Sequence, residues 1–291
     1  MKKLFSLLLV LVCIFVLSGC KKDKDNNDLG LVEKGKLIVV TSSDYAPYEF
    51  IDLTKTGQDK FVGSDITLAK YLATKLGLKL EIKAMDFNAL LTALDSGKAD
   101  LAIAGLSYTE DRAAYMFSSC YYGDGDGGQV VVTLKTNSDK YNSLASLNVA
   151  ENKIAAQNGA LQVGLVKTQL PNASLIEITD LDNALTLLKN GTYDSIAIAS
   201  NVAQTWMATN DEIVIAGTFD YEDTGSYAVA APKSKALIDA INPIIEQEVA
   251  KVKENGKTTY EVWVEEAQAL FVALGDNAAE ENPDDESGDL D

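Results

Sequence analysis

Two similar α/β lobes, each a mostly parallel sheet flanked by helices, are what this sequence predicts, and three observations carry the expectation. Short apolar, β-branched runs alternate with amphipathic stretches of helical period between residues 37 and 104, the grammar of repeated β-α-β units. The unit then recurs. Laying residues 86–100 (DFNALLTALDSGKAD) over residues 180–194 (DLDNALTLLKNGTYD) at a constant shift of 94 matches Asp86/Asp180, Leu91/Leu185, Thr92/Thr186, Leu94/Leu188, Gly97/Gly191 and Asp100/Asp194. Finally, a hydrophobic fraction of 47% over 291 residues suits one large domain or two of ordinary size.

The elements follow in order. Lys2 and Lys3 precede an apolar run from Leu4 to Leu17, about 14 residues and so short of the roughly 20 that span a bilayer; residues 1–19 read as a signal peptide. The run ends in Leu17-Ser18-Gly19-Cys20, which resembles the bacterial lipobox and implies a lipid on Cys20. Residues 20–33 then form a polar tether without apolar periodicity. Processing would leave Cys120 as the one thiol of the mature domain, so no intrachain disulfide forms. Leu37-Ile38-Val39-Val40 is a buried strand. Ser64-Asp65 opens a helix with Ile66, Ala69, Leu72, Ala73 and Leu76 on one face, and Gly77 ends it. Residues 78–83 alternate as a strand, Asp86 caps a helix through Leu94, and Gly97 precedes a strand at 100–104. The chain crosses between lobes at 122–128 and again at 224–226, both glycine-containing, as hinges require. Lobe 1 is thus expected at 34–123 and 226–275 and lobe 2 at 124–225. Residues 276–291 hold eight acidic residues and no basic one, a composition that predicts a disordered tail.

Composition excludes several chemistries. With no histidine, His-based triads, His–metal sites and imidazole acid/base schemes are absent. The 25 Lys+Arg against 43 Asp+Glu give a net charge of −18, which argues against nucleic acid and anionic membrane surfaces. Asp124-Gly125-Asp126-Gly127 mimics the start of an EF-hand loop, but Lys135 stands where the bidentate Glu is needed, so calcium is rejected.

Ligands of open α/β sheets bind outside the carboxyl ends of the strands, here Ala104-Gly105 and Ala199-Ser200. Three rings follow the first strand at Tyr45, Tyr48 and Phe50. Tyr48 and Phe50 read as core; Tyr45, closest to the strand end, reads as a ring presented to a ligand, and Phe87 supplies a facing ring or packs in the core. Arg112 falls in the first turn after Thr109, where a cation opposes the helix dipole. Local chemistry leaves two readings: an exposed Arg paired with Glu110 or Asp111, or a side chain folded back towards an anion held by backbone N–H groups at Gly105–Ser107.

The succession Asp44-Tyr45-Ala46-Pro47-Tyr48-Glu49-Phe50, Val62-Gly63-Ser64-Asp65-Ile66, Phe87-Asn88-Ala89-Leu90-Leu91, Gly97-Lys98-Ala99-Asp100, Leu106-Ser107-Tyr108-Thr109-Glu110-Asp111-Arg112, Phe117-Ser118, Gln157-Asn158-Gly159 and SYAVAAPK at 226–233 resembles the amino-acid-binding family of extracellular solute-binding proteins. The resemblance runs from Lys34 to Leu274. It implies the periplasmic-binding-protein type II fold, and capture of an amino acid between lobes for delivery to an ATP-driven (ABC-type) importer. It also implies that Arg112 pairs with the ligand α-carboxylate, Tyr45 and Phe87 sandwich the side chain, Gly105 offers its carbonyl to the α-amino group and Ser107 its hydroxyl or N–H to the carboxylate. Gln157, Gly159 and Leu161 would belong to the lip of lobe 2, where the family often has Ser or Thr and this chain has Ala160 and Leu161. The family's acid for the α-amino group should fall near Ala199 or Ser200, and neither is acidic; Asp44, Glu222 and Asp223 are the candidates to replace it.

The expected protein is therefore a non-enzymatic, monomeric, lipid-anchored bacterial binding protein on the outer face of the cell membrane, without cofactor or metal. Its partners would be a free amino acid and a membrane permease. A dehydratase-like enzyme on the same scaffold would need an Asp, Glu or Lys acid/base in the cleft, and a lipid-anchored sensor would differ only in partner. The rings at Tyr45 and Phe87 and the charge of Asp44 favour a polar or cationic ligand.

Overall fold

The computed structural model describes residues 29–123, 128–222 and 224–280. The signal peptide, Cys20, most of the tether, Asp124–Gly127, Asp223 and the last eleven residues of the tail at 281–291 lie outside the described residues.

Strand β1 (Lys36–Thr41) is apolar on both faces and sits inside a sheet, between β5 (Lys79–Ala84) and β6 (Leu101–Ala102), both parallel to it. The small sheet of β2 (Asp44–Tyr45), β3 (Glu49–Ile51) and β4 (Phe61–Val62) lies between β1 and α1 (Ser64–Leu76) in the chain. With β7 (Met116–Phe117) and β13 (Val229–Ala230) the first sheet reads β5-β1-β6-β13-β7. The second is built from β8 (Gln129–Leu134), β9 (Lys153–Gln157), β10 (Ser174–Ile178), β11 (Ser195–Ala199) and β12 (Ile213–Thr218), in the order β10-β9-β11-β8-β12. In each sheet one strand, β13 or β8, runs against its neighbours. Those are the strands that follow each crossing: a chain arriving from the other lobe enters at the carboxyl ends of the parallel strands and can only run back.

Side chains alternate between the two faces. On the first sheet Leu37, Val39 and Leu101 pack with Leu68 and Leu72 of α1, while Ile38, Val40 and Ala102 pack with Leu90 and Leu94 of α2 (Leu90–Asp95). On the second, Val130, Val132 and Ile196 face Val202 and Trp206 of α6 (Ser200–Thr209), and Val131, Ile154 and Ala197 face Val163 and Val166 of α4 (Leu161–Gln169).

The internal repeat is physical. Helix α2 and α5 (Ala184–Lys189) are displaced by 94 residues, as are the turn glycines Gly97 (φ +64°) and Gly191 (φ +78°) that follow them. Asp100 then accepts the N–H of Ile38 at 2.7 Å, and Asp194 that of Lys153 at 3.0 Å, so in each lobe the matched aspartate docks the next strand on the first strand of the unit. One local expectation is corrected: Asp86 makes no side-chain cap, because residues Phe87–Ala89 first form a 3-10 turn closed by the backbone bond Ala89 N–H to Asp86 C=O.

The crossings are bonded to each other, with Tyr122 and Ser226 forming an antiparallel bridge. Short α3 (Leu144–Leu147) covers lobe 2, and α7 (Lys235–Ile244) leads to α8 (Thr259–Glu280). Helix α8 runs into the acidic stretch that begins at 276. It starts on the fully buried Tyr260, whose ring lies 4.8 Å from Tyr121 and 5.1 Å from Tyr122, and touches both lobes: Phe271 meets Phe50 edge-on, and Gln268 donates to Thr205.

Candidate ligand-binding site

The carboxyl ends of β1 and β6 in lobe 1 face those of β9 and β11 in lobe 2, and side chains bridge the gap. Tyr45 Oη accepts the N–H of Ala199 at 3.2 Å. Asp44 Oδ2 accepts Gln157 Nε2 at 2.9 Å and the N–H of Leu181 at 3.0 Å. Asn201 Nδ2 donates to Tyr48 Oη at 3.1 Å and to Tyr122 Oη at 2.7 Å. The lobes are closed on each other around a cavity.

Arg112 is buried at its edge. One guanidinium N–H group donates to Ser107 O at 2.8 Å, the other crosses to Gly159 O at 3.0 Å, and the guanidinium carbon sits 5.7 Å from the Phe87 ring centroid. Residues Glu110–Arg112 are a single 3-10 turn without a Thr109 side-chain cap, which corrects the helix-dipole argument: a turn this short has no macrodipole to oppose. What positions Arg112 is its reach to two carbonyls, one on each lobe. Burial pulls its pKa below the ordinary arginine value, against the fields of Tyr221 and Asp111, and among the described residues no carboxylate pairs with it. Beside it α4 opens at Leu161 without a side-chain cap, so the first N–H groups of that helix are left for an anion. Gly159 holds φ +79°, which favours glycine, and a Cβ there would lie 3.2 Å from Cβ and 3.3 Å from Cα of Asn88, so a side chain would push the lobes apart by a few tenths of an ångström.

Beneath the cavity, the N–H of Gly105, a lining residue, donates to Asp65 Oδ2 at 2.7 Å. Asp65 also accepts from Tyr121 at 3.0 Å and from Tyr260. Burial pushes Asp65 up to about 6, opposed by the Tyr260, Gly105 and Tyr121 bonds. Glu49, bonded to Ser42 Oγ at 2.9 Å, is held far above the usual carboxylate range by burial and then by Asp65. Burial thus favours the neutral form of Glu49 under the site. Asp44 is raised by burial, against the Leu181, Ser42 and Gln157 bonds.

Of the residues singled out from sequence, Tyr45, Phe87, Gly105, Ser107, Arg112, Gln157, Leu161 and Ser200 line the cavity. Asp44 and Gly159 stand behind the wall, as interlobe partners of Gln157 and Arg112. Ser200 sits at the start of α6, its hydroxyl accepting Gln204 Nε2 at 3.2 Å. Glu222 does not line the cavity, and Asp223 is outside the described residues. Sequence reasoning missed Tyr48, Tyr122, Gln129, Gln162, Asn201 and Ser226. Tyr48 is core, as expected, at 5% exposure, yet its hydroxyl reaches lobe 2. Tyr122 and Ser226 are end residues of the crossings and Gln129 follows one of them, which was the one available signal. Among the described residues no group of Cys, Asp and Glu could hold a metal ion.

The fold is shared with known proteins. The chain is 32% identical over 264 residues to the arginine-binding extracellular protein ArtP of Bacillus subtilis, covering 88% of this chain and 95% of the relative. It superposes with TM-score 0.72 and 33% identity on an amino acid ABC transporter substrate-binding protein, AbpA, of Streptococcus pneumoniae solved with L-arginine, covering 82% and 96% of the two chains. An ancestral amino-acid-binding protein described as a precursor of cyclohexadienyl dehydratase gives TM-score 0.68 at 28% identity, covering 80% of this chain and 95% of that one. Residues 37–265, nearly the whole two-lobed body, match the bacterial extracellular solute-binding proteins, family 3, and the chain belongs to that family.

Proposed function

We propose that this chain captures a polar or cationic L-amino acid between its lobes and delivers it to the permease of an ATP-driven importer. One observation carries the reading: a buried arginine, Arg112, without a carboxylate partner among the described residues, stands at a closed interlobe cavity beside the uncapped start of α4. A buried cation of this kind calls for an anion, and an α-carboxylate fits both donor sets. Tyr45 and Phe87 line the cavity and supply aromatic surface to the remainder of the ligand, and the arginine-bound relative points to a long polar side chain.

The protein acts as a binder and not as an enzyme. Arg112 is the one charged side chain among the described residues lining the cavity, so no Asp, Glu or Lys there supplies an acid/base pair of the kind a dehydratase needs. The signal-like start and Cys20 support a lipid-anchored protein on the outer face of the membrane. A thermal-shift screen of the twenty amino acids with ornithine, citrulline and cystine tests the ligand class, because a ligand stabilises in proportion to ln(1 + [L]/Kd). Stabilisation by long polar amino acids is expected. Stabilisation only by leucine, isoleucine or phenylalanine would refute the polar assignment, and no response to any amino acid would refute the function.

A further inference from the structure

We infer that the Gln129–Gln162 pair reads the end of the ligand side chain, and that it does so through neutral hydrogen bonds with no ion pair. The inference rests on the amino-acid reading above. Gln129 is the first residue of β8 and Gln162 the second of α4; they are 7% and 6% exposed and both line the cavity. Gln162 Nε2 donates to Gln129 Oε1 at 2.6 Å and lies 3.5 Å from Tyr45 Oη. The pair is thus tied to the tip of a ring along which the ligand would lie.

A primary amide carries one carbonyl and one NH2 group. The contact between the two glutamines uses one carbonyl and one N–H, and the second N–H of Gln162 Nε2 goes to Tyr45 Oη, so one carbonyl and one whole NH2 group remain. Turning both amides over leaves a remainder of the same kind with the two glutamines exchanged, Tyr45 Oη then donating to the Gln162 carbonyl. Neither remaining group has a hydrogen-bond partner among the described residues, and neither belongs to the fully enclosed polar atoms that lack one. They are open to the cavity, and leaving them unmet by a bound ligand would be costly. The group that satisfies both carries an acceptor and a donor, as a carboxamide or a urea does; a guanidinium satisfies the carbonyl and gains its remaining attraction from the π-faces of Tyr45 and Phe87. Since Arg112 is the one charged side chain among the described lining residues, a cationic end meets no counter-charge there.

The cleft therefore selects for length and hydrogen-bond pattern more than for charge. Arginine and citrulline have the same length and differ in the charge of the end group, so they separate the two bases of recognition. Calorimetry on the wild-type protein should give Kd values for the two within about tenfold of each other, where a desolvated ion pair would separate them by well over that factor. Gln162→Leu should weaken both by about tenfold or more and leave serine or alanine binding within about twofold. Gln129→Leu should reproduce the pattern, guarding against a folding defect in one variant. Arginine binding more than tenfold tighter than citrulline overturns the inference, as does unchanged binding of both by the Gln162 variant. A wild-type protein that binds no amino acid at all overturns the function itself, and this inference with it; one that binds only short or apolar amino acids overturns the inference while the binding function stands.

Discussion

Replacing Arg112 by alanine removes the group on which the functional reading depends, and the structure allows the loss to be worked out. The guanidinium is desolvated and already aimed by its bonds to Ser107 O and Gly159 O, so a ligand carboxylate pairs with a pre-organised cation. Truncating one member of such a buried charge pair costs about 2–5 kcal/mol. The Gly159 bond adds to this, since it joins the lobes: its loss removes a contact of about 1 kcal/mol that favours the closed state. A total of about 3–6 kcal/mol corresponds to a Kd raised by roughly 140- to 20,000-fold, at about 1.4 kcal/mol for each factor of ten. In the ligand-free protein the same substitution also relieves the burial of an unpaired charge, so thermal stability without ligand should change far less than the ligand-induced stabilisation. Isothermal titration with the best ligand from the screen, together with melting curves with and without it, makes both measurements. Arg112→Lys should fall between, keeping the charge and losing the two-pronged geometry. A Kd within about tenfold of wild type for Arg112→Ala would refute the carboxylate anchor.

Gly159→Ala should hold the lobes apart, because its Cβ would stand 3.2 Å from Asn88 at φ +79°; small-angle scattering should then show less ligand-induced compaction than in wild type, and full compaction would count against the close approach described. Asp65, pushed up to about 6 by burial, binds a proton more tightly folded than unfolded, so its contribution to stability is greatest below about pH 4 and declines as pH rises through 6. Denaturant melts at pH 5.5 and 7.5 should show this decline in wild type and a smaller one in Asp65→Asn; equal slopes would remove Asp65 as the cause. Mass spectrometry of the membrane fraction should find a lipid-modified mature N-terminus at Cys20, lost in Cys20→Ser, and an unmodified terminus starting elsewhere would exclude the anchor.

Sequence alone determined the repeated β-α-β unit and its end points, because these rest on local rules. A glycine must follow each short helix where φ turns positive, and the aspartate three residues later must meet a backbone N–H of the neighbouring strand; both signals survive in one dimension as Gly97/Gly191 and Asp100/Asp194. Arg112, a cation beside Glu110 and Asp111, was legible only as two open readings, and Tyr45 as a ring at a strand end. Tertiary structure decided what lies between the lobes. Gln129 and Gln162 are 33 residues apart in the chain and bonded in the cavity, and Asn201 meets Tyr48 from 153 residues away. No local pattern marks such pairs, since each residue is an ordinary polar side chain until the hinge brings two surfaces together. Asp44 shows the limit most plainly: its charge was legible as attraction for a cation, whereas the fold spends its Oδ2 on Gln157 and Leu181 of the opposite lobe, because a carboxylate buried at an interface is held by the nearest donors.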